Sequence, residues 1–283
     1  MRSGTPSRTI LRPAIGRAAH QLFDAPLVFR DPIAVGFVPE ASEQAILAAA
    51  ADHRALHSAL FRAMVAVRNR FAEDRLAAAV ERGIGQYVML GAGLETFPWR
   101  QPDSARGMRL FLADHPATLA WSRDRFRERG LSQPENLAFA AADLEQKGLA
   151  ADLAQAGFDP RIPAFVSALG VVHYLTADAV TALFRFVATL PRGSEIVFTF
   201  PVTEEELEGE ERDEVRVSIA RTAEMGEPWL TRARPSDMVA WLHRCGVPDV
   251  FHLTPDLAHQ RYFAGRRDDL RAPRREQLIA AVA

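Results

Sequence analysis

Apolar residues fall along this chain in short runs closed by glycine, aspartate or proline. Between the runs lie longer stretches in which apolar positions recur every three or four residues. Short apolar runs bounded by turn formers predict buried strands, and the wider spacing predicts amphipathic helices. Strands are therefore expected at 87–90, 108–113, 137–142, 164–169 and 194–200, with two more at 247–253 and 277–282. Helices are expected at 116–129, 146–156, 177–190 (capped by Thr176) and 235–245. Such alternation predicts an α/β fold built on a doubly wound, mostly parallel sheet.

The flanks read differently. Residues 1–85 are helical in pattern, with Ser7 or Thr9 as cap of a first helix that runs toward His20 and is interrupted by Pro13. A loop is expected over 23–39, punctuated by Pro26, Pro32 and Pro39. A long helix at about 53–82 carries Leu56, Leu60, Met64, Val67 and Phe71 at helical spacing and stops at Gly83 and Gly85. Residues 204–225 form an acidic helical segment, too polar for core and placed to act as a lid. The expected organisation is one domain: a helical cap (1–85), a core (86–200), a lid-like helical insertion (201–235) and the last part of the sheet (236–283).

The run at 87–90 leads straight into Gly91-Ala92-Gly93. Glycines after a buried strand permit a tight turn and let a ligand approach the backbone, as in the first βα turn of nucleotide-binding sheets. Thr96 stands where a dinucleotide fingerprint needs its third glycine, which disfavours a pyrophosphate cofactor and suits S-adenosyl-L-methionine. Three further groups end predicted strands on the same sheet edge. Asp114, 23 residues after Gly91, suits a ribose or a helix N-cap. Asp143 suits an adenine amino group or a turn, with Leu144 beside it to pack on the base. His173 suits a general base for a methyl acceptor or a packed core position. Arg17 and Arg68, on the N-terminal helices, suit a carboxylate of the cofactor or a solvated face.

Composition narrows the partners. The chain has 283 residues, 48% hydrophobic and 25% charged, with net charge −2, which gives no global field for nucleic acid or an anionic membrane. Lys147 is the only lysine and Cys245 the only cysteine, so no internal disulfide and no thiolate metal centre is expected. No apolar run approaches membrane-spanning length, and a cytoplasmic protein without a membrane partner is expected. The basic run 266–275 is interspersed with acids and makes a poor nucleic-acid patch.

Taken together, the motifs resemble the class I S-adenosylmethionine-dependent methyltransferases of the leucine carboxyl methyltransferase type and their bacterial relatives. The resemblance rests on Ser7-Arg8-Thr9 with Arg17-Ala18, Asp31-Pro32-Ile33-Ala34, Val67-Arg68-Asn69-Arg70-Phe71 and Leu90 through Thr96. It extends to Asp114-His115-Pro116, Ala142-Asp143-Leu144, Tyr174-Leu175 and Gly226-Glu227-Pro228. It implies a seven-stranded Rossmann-like sheet, S-adenosyl-L-methionine as cofactor, and methyl transfer to oxygen on a small-molecule carboxylate or hydroxyl. It also implies cofactor contacts from Gly91, Gly93, Asp114, His115, Asp143 and Leu144, with Arg68 near the methionine end. Leu169 stands where the family often has a glutamate that touches the methionine end, and Leu112 replaces another. His173 stands where relatives usually carry an apolar residue. The expected activity is thus an O-methyltransferase; the alternatives are an inactive binder of the same cofactor and a nicotinamide-dependent oxidoreductase. No oligomeric state is implied.

Overall fold

A computed structural model of the chain describes Ser7 and residues 9–37, 58–146, 148–268 and 270–283. Its seven strands are β1 (Gln86–Leu90), β2 (Arg109–Asp114), β3 (Leu137–Ala141), β4 (Ala164–Ala168), β5 (Glu195–Pro201), β6 (Asp249–Leu253) and β7 (Glu276–Val282). They form one sheet in the order β3-β2-β1-β4-β5-β7-β6. Strands β1 to β5 are parallel, and β7 runs antiparallel to both of its neighbours. The order reverses between β1 and β4, the switch point outside which ligands of doubly wound sheets bind.

Period-two alternation sends the two sides of each strand into different cores. Tyr87, Met89, Leu110, Leu112, Phe165 and Val197 pack on one face with α1 (Leu11–Phe23), α3 (Ala59–Glu81) and Phe126 of α5 (Pro116–Glu128). Val88, Leu90, Phe111, Val166, Ile196 and Phe198 pack on the other with α6 (Leu149–Gln155), α7 (Ala177–Thr189) and α9 (Pro235–Arg244). Burial on both faces explains why the strands read as continuous apolar runs. The long α3 is fixed to the sheet by ions as well, since Arg75 and Arg82 both bond the fully buried Glu195 at the start of β5.

The remaining helices are α2 (Ala34–Phe37), α4 (Phe97–Arg100), α8 (Gly209–Glu224) and α10 (Pro255–Ala258). Several expectations need correction. Neither Ser7 nor Thr9 caps α1, whose N-cap position is Ile10 without a side-chain bond. Pro13 lies within the first turn of α1, where its missing N–H costs nothing, so the helix continues. The expected loop at 23–39 contains the single turn α2. Ser58 caps α3 through the Phe61 N–H, so that helix begins at Ala59; residues 53–57, Leu56 among them, lie outside the described residues. Helix α6 starts at Leu149 rather than 146, and the acidic stretch is divided into a 3-10 turn at Glu204–Glu206 and α8. Although polar overall, α8 buries Val215, Ser218 and Thr222. No helix among the described residues is long and apolar enough to cross a membrane.

Candidate functional site

The carboxyl ends of β1 to β4 open into a cavity of about 560 Å³. All ten residues singled out above line it: Arg17, Arg68, Gly91, Gly93, Asp114, His115, Asp143, Leu144, Leu169 and His173. Strand order accounts for most of this. Leu90 pairs with Ala113, and Asp114 with Ala141, so the turn after β1, the end of β2 and the end of β3 are lateral neighbours.

The glycine turn is held from beneath. Gly91 has φ +60°, and a Cβ there would collide with Cγ2 of Val171. The Gly93 N–H donates to Asp114 Oδ2 at 2.8 Å, and the His115 N–H donates to Oδ1 at 2.7 Å. These bonds set the carboxylate against the turn. Burial nevertheless pushes the Asp114 carboxyl up to about 6, against the pull of both N–H groups and of His115, with Glu227 adding to the rise. His115 itself caps α5, accepting from the Ala117 N–H through Nδ1 at 3.3 Å. Asp143 folds its own turn by accepting from the Glu145 N–H at 3.0 Å, and remains partly accessible beside Leu144.

A second group lies across the cavity. Arg68, on α3, pairs with Glu276 at the start of β7 at 3.3 Å, while its buried Nε has no partner. Its guanidinium rests on Gly170, where a Cβ would come within 2.6 Å of Nη1. His173 is 5% exposed, with its ring against Tyr174 and Trp229 and its Nδ1 without a partner. Burial, and secondarily the charge of Arg68, holds its pKa down at about 3. Arg17 is already engaged: it donates to the Leu94 carbonyl and lies 3.9 Å from Asp31 and 3.7 Å from Glu95. It ties α1 to the glycine turn.

Sequence reasoning passed over three features. Glu276 brings a carboxylate into the cavity from β7, in a chain whose Leu169 lacks the family's glutamate. Ser7 and Thr9 donate to Glu227 Oε2 at 2.8 and 2.6 Å, joining two motifs about 220 residues apart, and all three residues line the cavity. Arg12 and Arg275 line the cavity with Phe61 and Met64. The motifs held a signal for the second feature, since both partners belong to them. The other two sit at ordinary-looking positions on a helix and a strand.

Residues 10–188 match the sequence model of the leucine carboxyl methyltransferase family. A Bacillus subtilis protein provisionally named an S-adenosyl-L-methionine-dependent methyltransferase, YktD, is 28% identical over 100% of this chain and 99% of its own length. A Mycobacterium marinum protein of the same provisional name is 30% identical over 84% of this chain and 82% of that protein. Among solved structures, a DUF574 family protein from Streptomyces avermitilis superposes with a TM-score of 0.60 at 19% identity, covering 94% of this chain and 96% of that one. A Thermobifida fusca protein provisionally named a methyltransferase gives 0.58 at 18% identity over 99% and 96%. The two structures establish the fold.

Proposed function

This chain belongs to the leucine carboxyl methyltransferase family and is an S-adenosyl-L-methionine-dependent methyltransferase, and from that premise we propose that it methylates an oxygen of a small molecule. The supporting observation is that one cavity joins the strand-end groups suited to a nucleoside with the apolar side chains Phe61, Met64 and Trp229, which we assign to an acceptor chamber. The cavity's volume lies in the range that encloses drug-sized ligands.

The residues present fit the cofactor. The Gly91 turn keeps clear a space that a side chain would fill, Asp114 offers acceptor lone pairs, and Arg68 has a buried N–H to spare. On this reading Gly91 and Gly93 present backbone to the cofactor, Asp114 accepts from ribose hydroxyls, Asp143 accepts from adenine, and Leu144 packs on the base. Arg68 holds the methionine carboxylate, with Glu276 fixing its guanidinium and Leu169 bordering the same end. Arg17 positions the turn through Leu94. When bound, S-adenosyl-L-methionine supplies a methyl group on a cationic sulfur, which departs as a neutral thioether when an acceptor oxygen takes the methyl. The chain's share is orientation: it holds an oxygen in line and keeps bulk water away. A histidine whose pKa is about 3 is a weak base, so we assign His173 to shaping the acceptor chamber rather than to proton abstraction.

The test uses methyl-labelled S-adenosyl-L-methionine with panels of carboxylic acids, phenols, amines and thiols, read by mass spectrometry. Label on a carboxylate or hydroxyl oxygen is expected. Label found only on nitrogen, sulfur or carbon would reject the reading.

A further inference from the structure

Arg12 is the second residue of α1 and lines the cavity beside Phe61 and Ser218. Its guanidinium stacks on the Phe61 ring, 4.5 Å from the centroid, and Nη1 reaches Ser218 Oγ of α8 at 3.4 Å. The other cavity arginines have carboxylate partners: Arg17 has Asp31 and Glu95, Arg68 has Glu276, and Arg275 has Glu214 at 2.8 Å. Among the described residues no carboxylate lies within ion-pair distance of Arg12; its nearest polar contact is the neutral Ser218.

Its surroundings add positive charge instead. Burial is the main force lowering the Arg12 pKa, and Arg275 and Arg221 lower it further. Glu214 and Tyr174 act the other way, but Glu214 is engaged by Arg275. The first turn of α1 contains no acidic residue, its N-cap makes no side-chain bond, and the nearby Glu227 is engaged by Ser7 and Thr9. Beside Arg12, Arg275 is only 4% exposed, and its Nε is buried without a partner. A half-desolvated cation with no counter-ion is unfavourable, and an anionic ligand is what relieves it. One uncompensated unit of charge matches a monoanion, and the planar guanidinium fork matches a carboxylate.

We propose that Arg12 anchors the methyl acceptor by a carboxylate, so that the acceptor is a small organic acid whose apolar part lies against Met64 and Trp229. Phe61 orients the guanidinium by a cation–π contact. The inference rests on the acceptor chamber assigned above and names the class of molecule that enters it.

Calorimetry on the full chain saturated with S-adenosylhomocysteine tests the anchor, with benzoate and hexanoate as probes and benzamide and hexanamide as their neutral counterparts. The wild type is expected to bind at least one acid about tenfold or more tightly than its amide, the scale of a charge-assisted bond. Arg12→Gln is expected to erase that preference and Arg12→Lys to keep part of it. S-adenosylhomocysteine affinity, measured in each variant, should be unchanged and so reports an intact fold. No acid binding, equal binding of acid and amide, or a preference that survives Arg12→Gln overturns the anchor. Failure of S-adenosylhomocysteine to bind the wild type is a separate result, which overturns the reading beneath it as well.

Discussion

At the residue scale, Asp114 holds the glycine turn and, on the proposed reading, also meets the ribose. Its oxygens accept from Gly93 and His115, and each keeps lone-pair capacity for another donor. Because burial raises its carboxyl to about 6, the native protein holds this proton more tightly than the unfolded chain does. The group's contribution to stability is therefore full below the ordinary carboxylate range and is lost as pH rises through about 6. Ribose hydroxyls are donors and favour the ionised form, so cofactor binding below that pH must expel a proton. S-adenosylhomocysteine affinity should consequently fall as pH drops from about 7 to about 5, by up to roughly tenfold per unit. Asp114→Asn should lower affinity about tenfold and flatten the dependence. Titrations in buffers of different ionisation enthalpy measure the released proton directly; none released near pH 5.5 would remove Asp114 from the ribose site. His173 gives the contrasting case. Held near 3, it stays neutral across the working range. With S-adenosyl-L-methionine saturating at every pH, so that Asp114 does not limit binding, turnover of the wild type should thus show no acid limb near 6.5, and His173→Asn should alter KM for the acceptor more than the pH profile. A limb near 6.5 that vanishes in the variant would restore the general base.

At the scale of elements, the strand-turn unit of β1 is the least forgiving. Gly91 combines a left-handed φ with a position where a Cβ would collide with Val171, a side chain that β-branching holds in place. Gly91→Ala should cost about 1–3 kcal/mol in stability from strain and displacement. It should also weaken S-adenosylhomocysteine binding by more than that loss explains, because the turn itself moves; wild-type melting temperature and affinity would contradict this. The elements that sequence reasoning placed best are the parallel strands, since burial on both faces leaves a contiguous apolar run with abrupt ends. The starts of α5, α7 and α9 were read correctly, whereas that of α1 was not, for a physical reason. Ser7 and Thr9 have the chemistry of caps, but their hydroxyls are drawn to Glu227, and Ile10 begins the helix uncapped. Competition from a residue so distant leaves no local trace.

At the scale of the whole molecule, the strand-end side of the cavity, which we propose for the cofactor, was legible, and the side proposed for the acceptor was not. The first is built from consecutive strand ends, whose adjacency follows from the order β3-β2-β1-β4. The second is built where α1, α3 and α8 meet, and only tertiary packing brings Arg12, Met64, Ser218 and Trp229 together. The clasp of Ser7 and Thr9 on Glu227 belongs to the same non-local class. It pins the segment before α1 to the loop after α8, and the Ser7 N–H adds a bond to Thr118 Oγ1 on α5 at 3.3 Å. Ile10, Arg12 and Pro13, next along that segment, line the cavity, so ligand exchange is expected to require local opening there, which is cheaper than global unfolding. The Ser7→Ala, Thr9→Ala double variant removes both hydroxyl donors yet leaves Glu227 and its influence on Asp114 in place. Each lost bond to the carboxylate is worth roughly 1.5–3 kcal/mol locally. Amide exchange over residues 9–14 should accelerate about tenfold or more, and S-adenosylhomocysteine should dissociate severalfold faster. The melting temperature of the ligand-free protein should change little, because no core packing is lost. Unaltered exchange and dissociation in the double variant would show that the clasp does not gate the cavity.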